Sequence, residues 1–342
     1  MMGMRTALSV ALLLSAVLPS CNRVELPAEP EVMRTVSFVV GVPSTRASVT
    51  PYEGDVASLD VLVFRTEDGR IENANRAEAA PGEGSLRGVT CSVREGGSYR
   101  WYVVANAPQG TLYYGTEEAF LSGVTLLTHG TATSLVMMDS GTLDNAPSDM
   151  AVPVALDRYA CKVTVESLTV DWPDAFTMAS EVALGRIVLV NVVGSTPWSG
   201  IPAAGGLWYN RMGLESGLPP YVGDMTVKDY GGMALESGVA ADVASPLYCM
   251  PNPVANDVNS ANAPEWSPRS TRVAVELLLD GAANWYPVDL PAMRCNTHYV
   301  IRSLVLKGPG SVGPDWPVER EDVRFSVIVE PWVDNDIVPV YN

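Results

Sequence analysis

Apolar and polar positions alternate with a period of two through most of the hydrophobic stretches of the chain. Val36, Phe38, Val40 and Val42 fall on one face, with Thr35, Ser37, Val39 and Gly41 between them. That spacing predicts a strand with one apolar face. The small polar segment Ser44-Thr45-Arg46-Ala47-Ser48 follows and reads as an exposed loop. Leu59-Asp60-Val61-Leu62-Val63-Phe64 predicts a second strand, closed by a turn at Glu67-Asp68-Gly69-Arg70. A third runs from Ser98 through Trp101 to Asn106 and stops at Ala107-Pro108, and residues 152–156 and 161–170 continue the pattern. Before residue 170, only 116–121 has the pattern of a short helix.

A break at Trp172-Pro173-Asp174 opens the second half. Residues 185–192 form a nearly continuous apolar run, which suits a strand covered on both faces. Residues 195–270 are rich in Pro, Gly, Ser and Asn and predict long loops with short strands. Further strands are expected over 271–279, turning at Asp280-Gly281, and over 299–306. Val323, Phe325, Val327 and Val329 mark a last alternating strand that ends at Pro331-Trp332. Many short strands punctuated by Gly and Pro predict an all-β fold, two β-sandwich domains in tandem over residues 47–170 and 171–342.

The chain of 342 residues is 47% hydrophobic and 18% charged, ample for a packed core. Its net charge of −17 repels phosphate backbones and argues against a nucleic-acid partner. Only two histidines occur, His129 and His298, far apart and without neighbouring Cys or His, which leaves little for metal binding or His-based catalysis. There is no GxSxG elbow, phosphate-binding Gly-rich loop or HExxH helix. The paired carboxylates Glu117-Glu118 and Glu321-Asp322 read as solvated surface, and Asp334-Asn335-Asp336 lacks the remaining ligands of a calcium loop. No catalytic, cofactor-binding or metal-ligating residue can be named, and the chain is not expected to be an enzyme. The eight tryptophans are scattered, and Trp101 and Trp332 sit in strand patterns where core burial is expected.

Residues 1–20 have the form of an export signal: a short basic start, then an apolar run of 12 residues over 7–18, too short for a permanent span. The run ends Leu18-Pro19-Ser20-Cys21. A small residue before a cysteine is what a lipoprotein signal peptidase requires, so Cys21 is the expected site of acylation (palmitate-type chains) and the new N-terminus. The alternative is an ordinary secretory signal with a chance cysteine. Acyl chains anchor without spanning. The remaining cysteines, Cys91, Cys161, Cys249 and Cys295, show no CxxC pair. In an oxidising compartment they can form disulfides, and proximity favours Cys91–Cys161 and Cys249–Cys295; four buried free thiols are the alternative.

The order of these features resembles the fimbrillins, the type V pilins of Bacteroidales. The lipobox is followed by a strand, a Thr45-Arg46-Ala47 site and a two-part β body. Leu59-Asp60-Val61-Leu62-Val63-Phe64 with Gly69 is similar to the family's first body strand, and Tyr102-Val103-Val104-Ala105-Asn106-Ala107 to its "yyvvaNa" segment. Asp157-Arg158-Tyr159-Ala160-Cys161-Lys162-Val163 resembles the strand in which an Arg precedes an alternating run. Asn296-Thr297-His298-Tyr299, Gly308-Pro309-Gly310-Ser311 and Trp332 resemble the C-terminal domain. Cys295 before Asn296 and Pro19 in the lipobox depart from the pattern.

The resemblance implies two transthyretin-like sandwiches and a lipoprotein precursor carried to the outer membrane and cell surface. An arginine-specific protease would then cut between Arg46 and Ala47, splitting off a propeptide of residues 21–46 with the strand carrying Val36, Phe38, Val40 and Val42. The vacated groove would be refilled by a strand from another pilin subunit. The donor candidate is the C-terminus, with Ile337, Pro339 and Tyr341 on one face and Val338 and Val340 on the other. Such a head-to-tail joint does not close and so builds a fimbrium. The alternatives are a tip or anchor subunit of the same pilus, or a surface lipoprotein that binds glycans through exposed aromatics.

Overall fold

In the structure, a computed structural model, the described residues are 32–41, 53–80, 84–112, 114–145, 150–172, 179–200, 206–211, 223–255, 268–308, 310–314 and 323–332. Nearly every element is a strand. The first half holds β1 (Met33–Val40), β2 (Ser58–Arg65), β3 (Ile71–Glu78), β4 (Gly88–Arg94) and β5 (Tyr99–Ala105). A short helix, α1 (Glu117–Ser122), comes next, where Thr116 caps the N-terminus by accepting from the Ala119 amide. β6 (Val124–Leu126), β7 (Met137–Leu143), β8 (Met150–Val154) and β9 (Asp157–Arg158) complete this half.

Apart from β6, which pairs with residues 195–197 of the second half, these strands make two facing sheets. One has the order β4-β1-β8, the other β3-β2-β5-β7-β9. Val36 and Phe38 of β1, Val89 and Val93 of β4, and Val152 and Val154 of β8 pack on Val61, Val63, Trp101 and Val103 of the opposite sheet. Period-two patterning places these side chains on one face of each strand. The five-stranded sheet is buried on its other face too, where Leu62, Phe64, Tyr102 and Val104 join a second core. That is why 59–64 reads as an almost unbroken apolar run.

The second core fills a further pair of sheets. Its strands are β10 (Cys161–Val170), β11 (Val182–Val190), β12 (Val192–Val193), β13 (Ser195–Pro197), β14 (Trp208–Tyr209), then the one-turn helix α2 (Gly223–Thr226), β15 (Val227–Ala234) and β16 (Ala240–Cys249). β17 (Arg272–Leu279), β18 (Ala282–Asp289), β19 (Thr297–Ile301), β20 (Leu304–Leu306), β21 (Val323–Arg324) and β22 (Val327–Pro331) follow. One sheet runs β15-β11-β17-β18; the other runs β21-β20-β10-β19-β22, with β16 also paired to β10. The fold is thus all-β, as the patterning predicts. β10 lies on the N-terminal side of the boundary expected at 170/171, yet its ladder partners β16, β19 and β20 all come from beyond it.

The apolar run of 185–192 is β11 up to Val190 and the start of β12 beyond Asn191, with Leu184, Ile187 and Leu189 in the large core and Val188 and Val190 in a smaller cluster with Trp285. Two stretches expected to be single strands are each broken. Residues 299–306 divide into β19 and β20, and 323–329 into β21 and β22, leaving Phe325 half-exposed. The first break coincides with a register shift in the β10–β16 ladder between Val165 and Ser167. There the Ser167 hydroxyl donates to the Arg302 carbonyl in the gap at 2.8 Å.

Candidate functional site

β1 is the first of the described strands and also an inner one. It pairs antiparallel with β4, from Met33 opposite Arg94 to Val39 opposite Gly88, and parallel with β8, from Val36 opposite Met150 to Val40 opposite Val154. Val36, Phe38 and Val40 are 1%, 0% and 8% exposed, whereas Val39 on the other face is 46% exposed. The Phe38 ring meets Trp101 with centroids 5.3 Å apart. Gly88 permits the close approach of β4, because a Cβ there would meet the Phe38 carbonyl oxygen at 2.5 Å. At the open end, the Arg34 guanidinium donates twice to Glu95 at 2.9 Å on the surface.

This topology has a mechanical consequence. A terminal strand that lies inside a sheet can leave without unthreading any other connection. Its departure would expose an apolar slot and two unpaired backbone edges, β4 and β8, a costly state that favours refilling. Val42, Arg46 and Ala47 lie outside the described residues, as do Cys21 and the donor candidates Ile337, Val338, Pro339, Val340 and Tyr341.

Three segments picked out by resemblance converge on one buried polar cluster. Glu53 is 3% exposed and accepts from Lys162 Nζ at 2.8 Å and from the Tyr248 hydroxyl. Arg158, 4% exposed, donates to the Glu53 carbonyl at 3.4 Å and stacks over the Trp332 ring, 4.5 Å from its centroid. Tyr248 also stacks on Trp332, with ring centroids 5.9 Å apart. Asn296, in left-handed backbone with φ +51°, donates its side-chain amide to Asp157 at 2.7 Å and its carbonyl accepts from the Trp332 amide. Lys162 of β10 also lies over the Trp332 ring, its Nζ 5.6 Å from the centroid, so the segment that starts at Glu53 and the one that ends at Trp332 meet at the same β10 side chain. Burial, then the Glu53 carboxylate beside it, pushes the Tyr248 hydroxyl far up. On β19, burial and then the Lys162 charge lower His298 to about 4, so its imidazole is neutral where it meets the Thr164 hydroxyl at 2.9 Å.

Asn106, the polar residue of the "yyvvaNa" segment, also has a structural reason. Its backbone is left-handed at φ +60°. Its side chain accepts from the Ala57 amide at 2.8 Å and donates to the carbonyls of Asp55 and Leu135 at 2.8 and 2.9 Å. It thereby seats the chain entering β2.

The four described cysteines, Cys91, Cys161, Cys249 and Cys295, are free thiols. The pairing Cys91–Cys161 is not found, because Cys91 faces the first core and Cys161 the second. Cys249–Cys295 is not found either; Cys161 lies opposite Cys249 in the ladder, and the Cys161 thiol donates to the Arg294 carbonyl at 2.9 Å. Trp101, Trp172, Trp198, Trp208, Trp285 and Trp332 are all buried, so none of these offers a ring to a glycan. Among the described residues, no group of three His, Cys, Asp or Glu side chains is placed to hold a metal ion.

The sequence reading did not single out β3, β4, Glu53 or Lys162's ion pair. β4 carried a usable signal: Val89, Cys91 and Val93 alternate with Thr90 and Ser92, bounded by Gly88 and Gly96. The Glu53 cluster carried none, since its members are up to 279 positions apart (Glu53 to Trp332).

Residues 35–152 match the family described as "Major fimbrial subunit protein (FimA)". No curated protein matches the chain. Among solved structures, a fimbrilin (FimA) from Porphyromonas gingivalis superposes with a TM-score of 0.62 at 16% identity, over 89% of this chain and 98% of that one. Structures described as a "putative cell adhesion protein" match similarly. The one from Bacteroides eggerthii gives 0.61 at 16% identity over 89% and 97%. One from Parabacteroides distasonis gives 0.60 at 17% identity over 88% and 100%. The matched family is one of structural subunits and not of enzymes. The part of the chain that holds the inner strand, its antiparallel neighbour and the start of the parallel one thus matches the FimA major fimbrial subunit family, and the described body shares the fold of fimbrilin.

Proposed function

We infer that this chain is a fimbrial subunit of the cell surface that polymerises by exchanging β1 for a strand of another copy. The observation that carries this reading is the position of β1, first of the described strands yet inner in its sheet. Refilling the slot buries residues equivalent to Val36, Phe38 and Val40, worth roughly 1.5–3 kcal/mol each, and restores ladder hydrogen bonds of about 0.5–1.5 kcal/mol each. Export as a lipoprotein acylated at Cys21, cleavage between Arg46 and Ala47, and donation of Ile337, Val338, Pro339, Val340 and Tyr341 complete the scheme. Its partners are other pilin subunits, an arginine-specific protease and, through the precursor lipid, the outer membrane. Pro339 lacks an N–H and belongs where the ladder needs no donor. Two tandem sandwich domains, the second beginning at β10 rather than at residue 171, would form the repeating unit.

The test is treatment of the purified full chain with an arginine-specific protease. A cut after Arg46 followed by a ladder of bands on a non-boiled gel is the expected result. A chain that is cut there and stays monomeric at high concentration would refute strand exchange.

A further inference from the structure

β3 breaks the pattern of its own sandwich. Its residues Asn73 and Asn75 sit opposite Val63 and Val61 of β2, and cross-strand partners share a face. That face looks into the first core, where Val61 and Val63 are fully buried. Two of its positions on the edge strand are therefore amides where an apolar pair would be expected. Both amides reach across to the other sheet. Asn73 Nδ2 donates to the Ser92 carbonyl at 2.7 Å and Asn75 Nδ2 to the Thr90 carbonyl at 2.8 Å.

The spacing fits the task. Carbonyls that point the same way along a strand recur every second residue, about 6.6–6.8 Å apart, and so do side chains on one face. Asn73 and Asn75 thus match Ser92 and Thr90 two for two, running antiparallel. β4 has one backbone neighbour in its sheet, β1, and the asparagines engage its other edge. Further contacts extend the seam at both ends: Arg94 Nε to Glu72 Oε1 at 3.2 Å, and the Leu86 amide to the Val56 carbonyl at 2.9 Å.

We propose that Asn73 and Asn75 are positioning residues that hold β4 upright as a standing wall of the groove while β1 is absent. An incoming strand then meets a preformed slot, lined on one side by β4, and does not have to order that wall as it binds. The idea rests on the strand-exchange reading, since a permanently filled groove would need no such support. Without the amides, the empty groove is competent only part of the time, and apparent affinity falls by that fraction. A groove ordered a tenth of the time would bind about tenfold more weakly, mainly through slower entry.

The test uses the full-length chain with its backbone opened in the 42–52 segment, at Arg46 or at an inserted protease site. A fluorescent peptide of the sequence of residues 33–41 is the probe, and its entry and release are followed separately. Asn73→Ala/Asn75→Ala is expected to slow entry about tenfold, with release little changed and the melting temperature of the uncut chain within about 5 °C of wild type. Asn75→Ser alone, at an exposed position, is expected to slow entry less and in the same direction. Entry at the wild-type rate in both variants would overturn the wall while leaving strand exchange intact. A wild-type chain that never takes up the peptide would overturn strand exchange and the wall with it.

Discussion

Phe38→Ala is expected to destabilise the intact chain by about 3–5 kcal/mol, as full truncation of a buried aromatic does. Phe38 is 0% exposed and packs on Trp101, and β1 has strands on both sides, so the site cannot collapse by simply losing an edge. A urea titration of the full chain reads this as a lower midpoint at unchanged slope. The same substitution is expected to leave finished polymers unaffected, because the exchanged strand is no longer part of them. Trp101→Ala, on the wall opposite, is expected to weaken both forms. A cavity that matters before assembly and not after it is the signature of a replaceable insert. An ordinary core strand would give parallel losses in both.

The second large effect is at the polar cluster. Lys162→Ala leaves the Glu53 carboxylate, 3% exposed, without its ammonium partner. Breaking a buried pair from one side costs about 3–5 kcal/mol. The double change Lys162→Met/Glu53→Gln is expected to restore much of that loss, because the desolvated charge disappears with its partner and Tyr248 can still donate to the glutamine oxygen. A double-mutant cycle in urea measures the coupling directly. Glu53 opens the described chain that leads to β2, and Trp332 closes it at the other end. The loss is therefore expected to appear in the processed polymer as well as in the precursor, in contrast to Phe38→Ala.

These two sites also mark what a single sequence can and cannot express. β1, β2, β5 and β11 are legible because burial writes itself into local periodicity: one face for β1, both faces for β2 and β11. The order of motifs points to the family that residues 35–152 match. β4 was overlooked although its alternation is clear, since seven residues between glycines and an acidic turn compete with loop signals. β3 is hidden for a physical reason, because Asn73 and Asn75, on the face shared with Val63 and Val61, are polar residues that periodicity reads as surface. The strands expected at 299–306 and 323–329 are each broken at the level of an irregularity in β10, a match across the sheet that no local pattern records. Cysteine pairing by proximity failed likewise: β10 crosses to the second core, so Cys91 and Cys161 end up in different cores. Glu53, Lys162, Tyr248 and Trp332 meet only through topology.

The measurement closest to the central claim is cross-linking mass spectrometry on polymers grown from an equal mixture of isotopically light and heavy chains. Replaceability of β1 predicts mixed light–heavy cross-links joining residues 333–342 of one subunit to β4 and β8 of its neighbour, with residues 33–40 missing from the assembled material. Polymers that retain residues 33–40, cross-linked to β4 and β8 of their own chain, would contradict it.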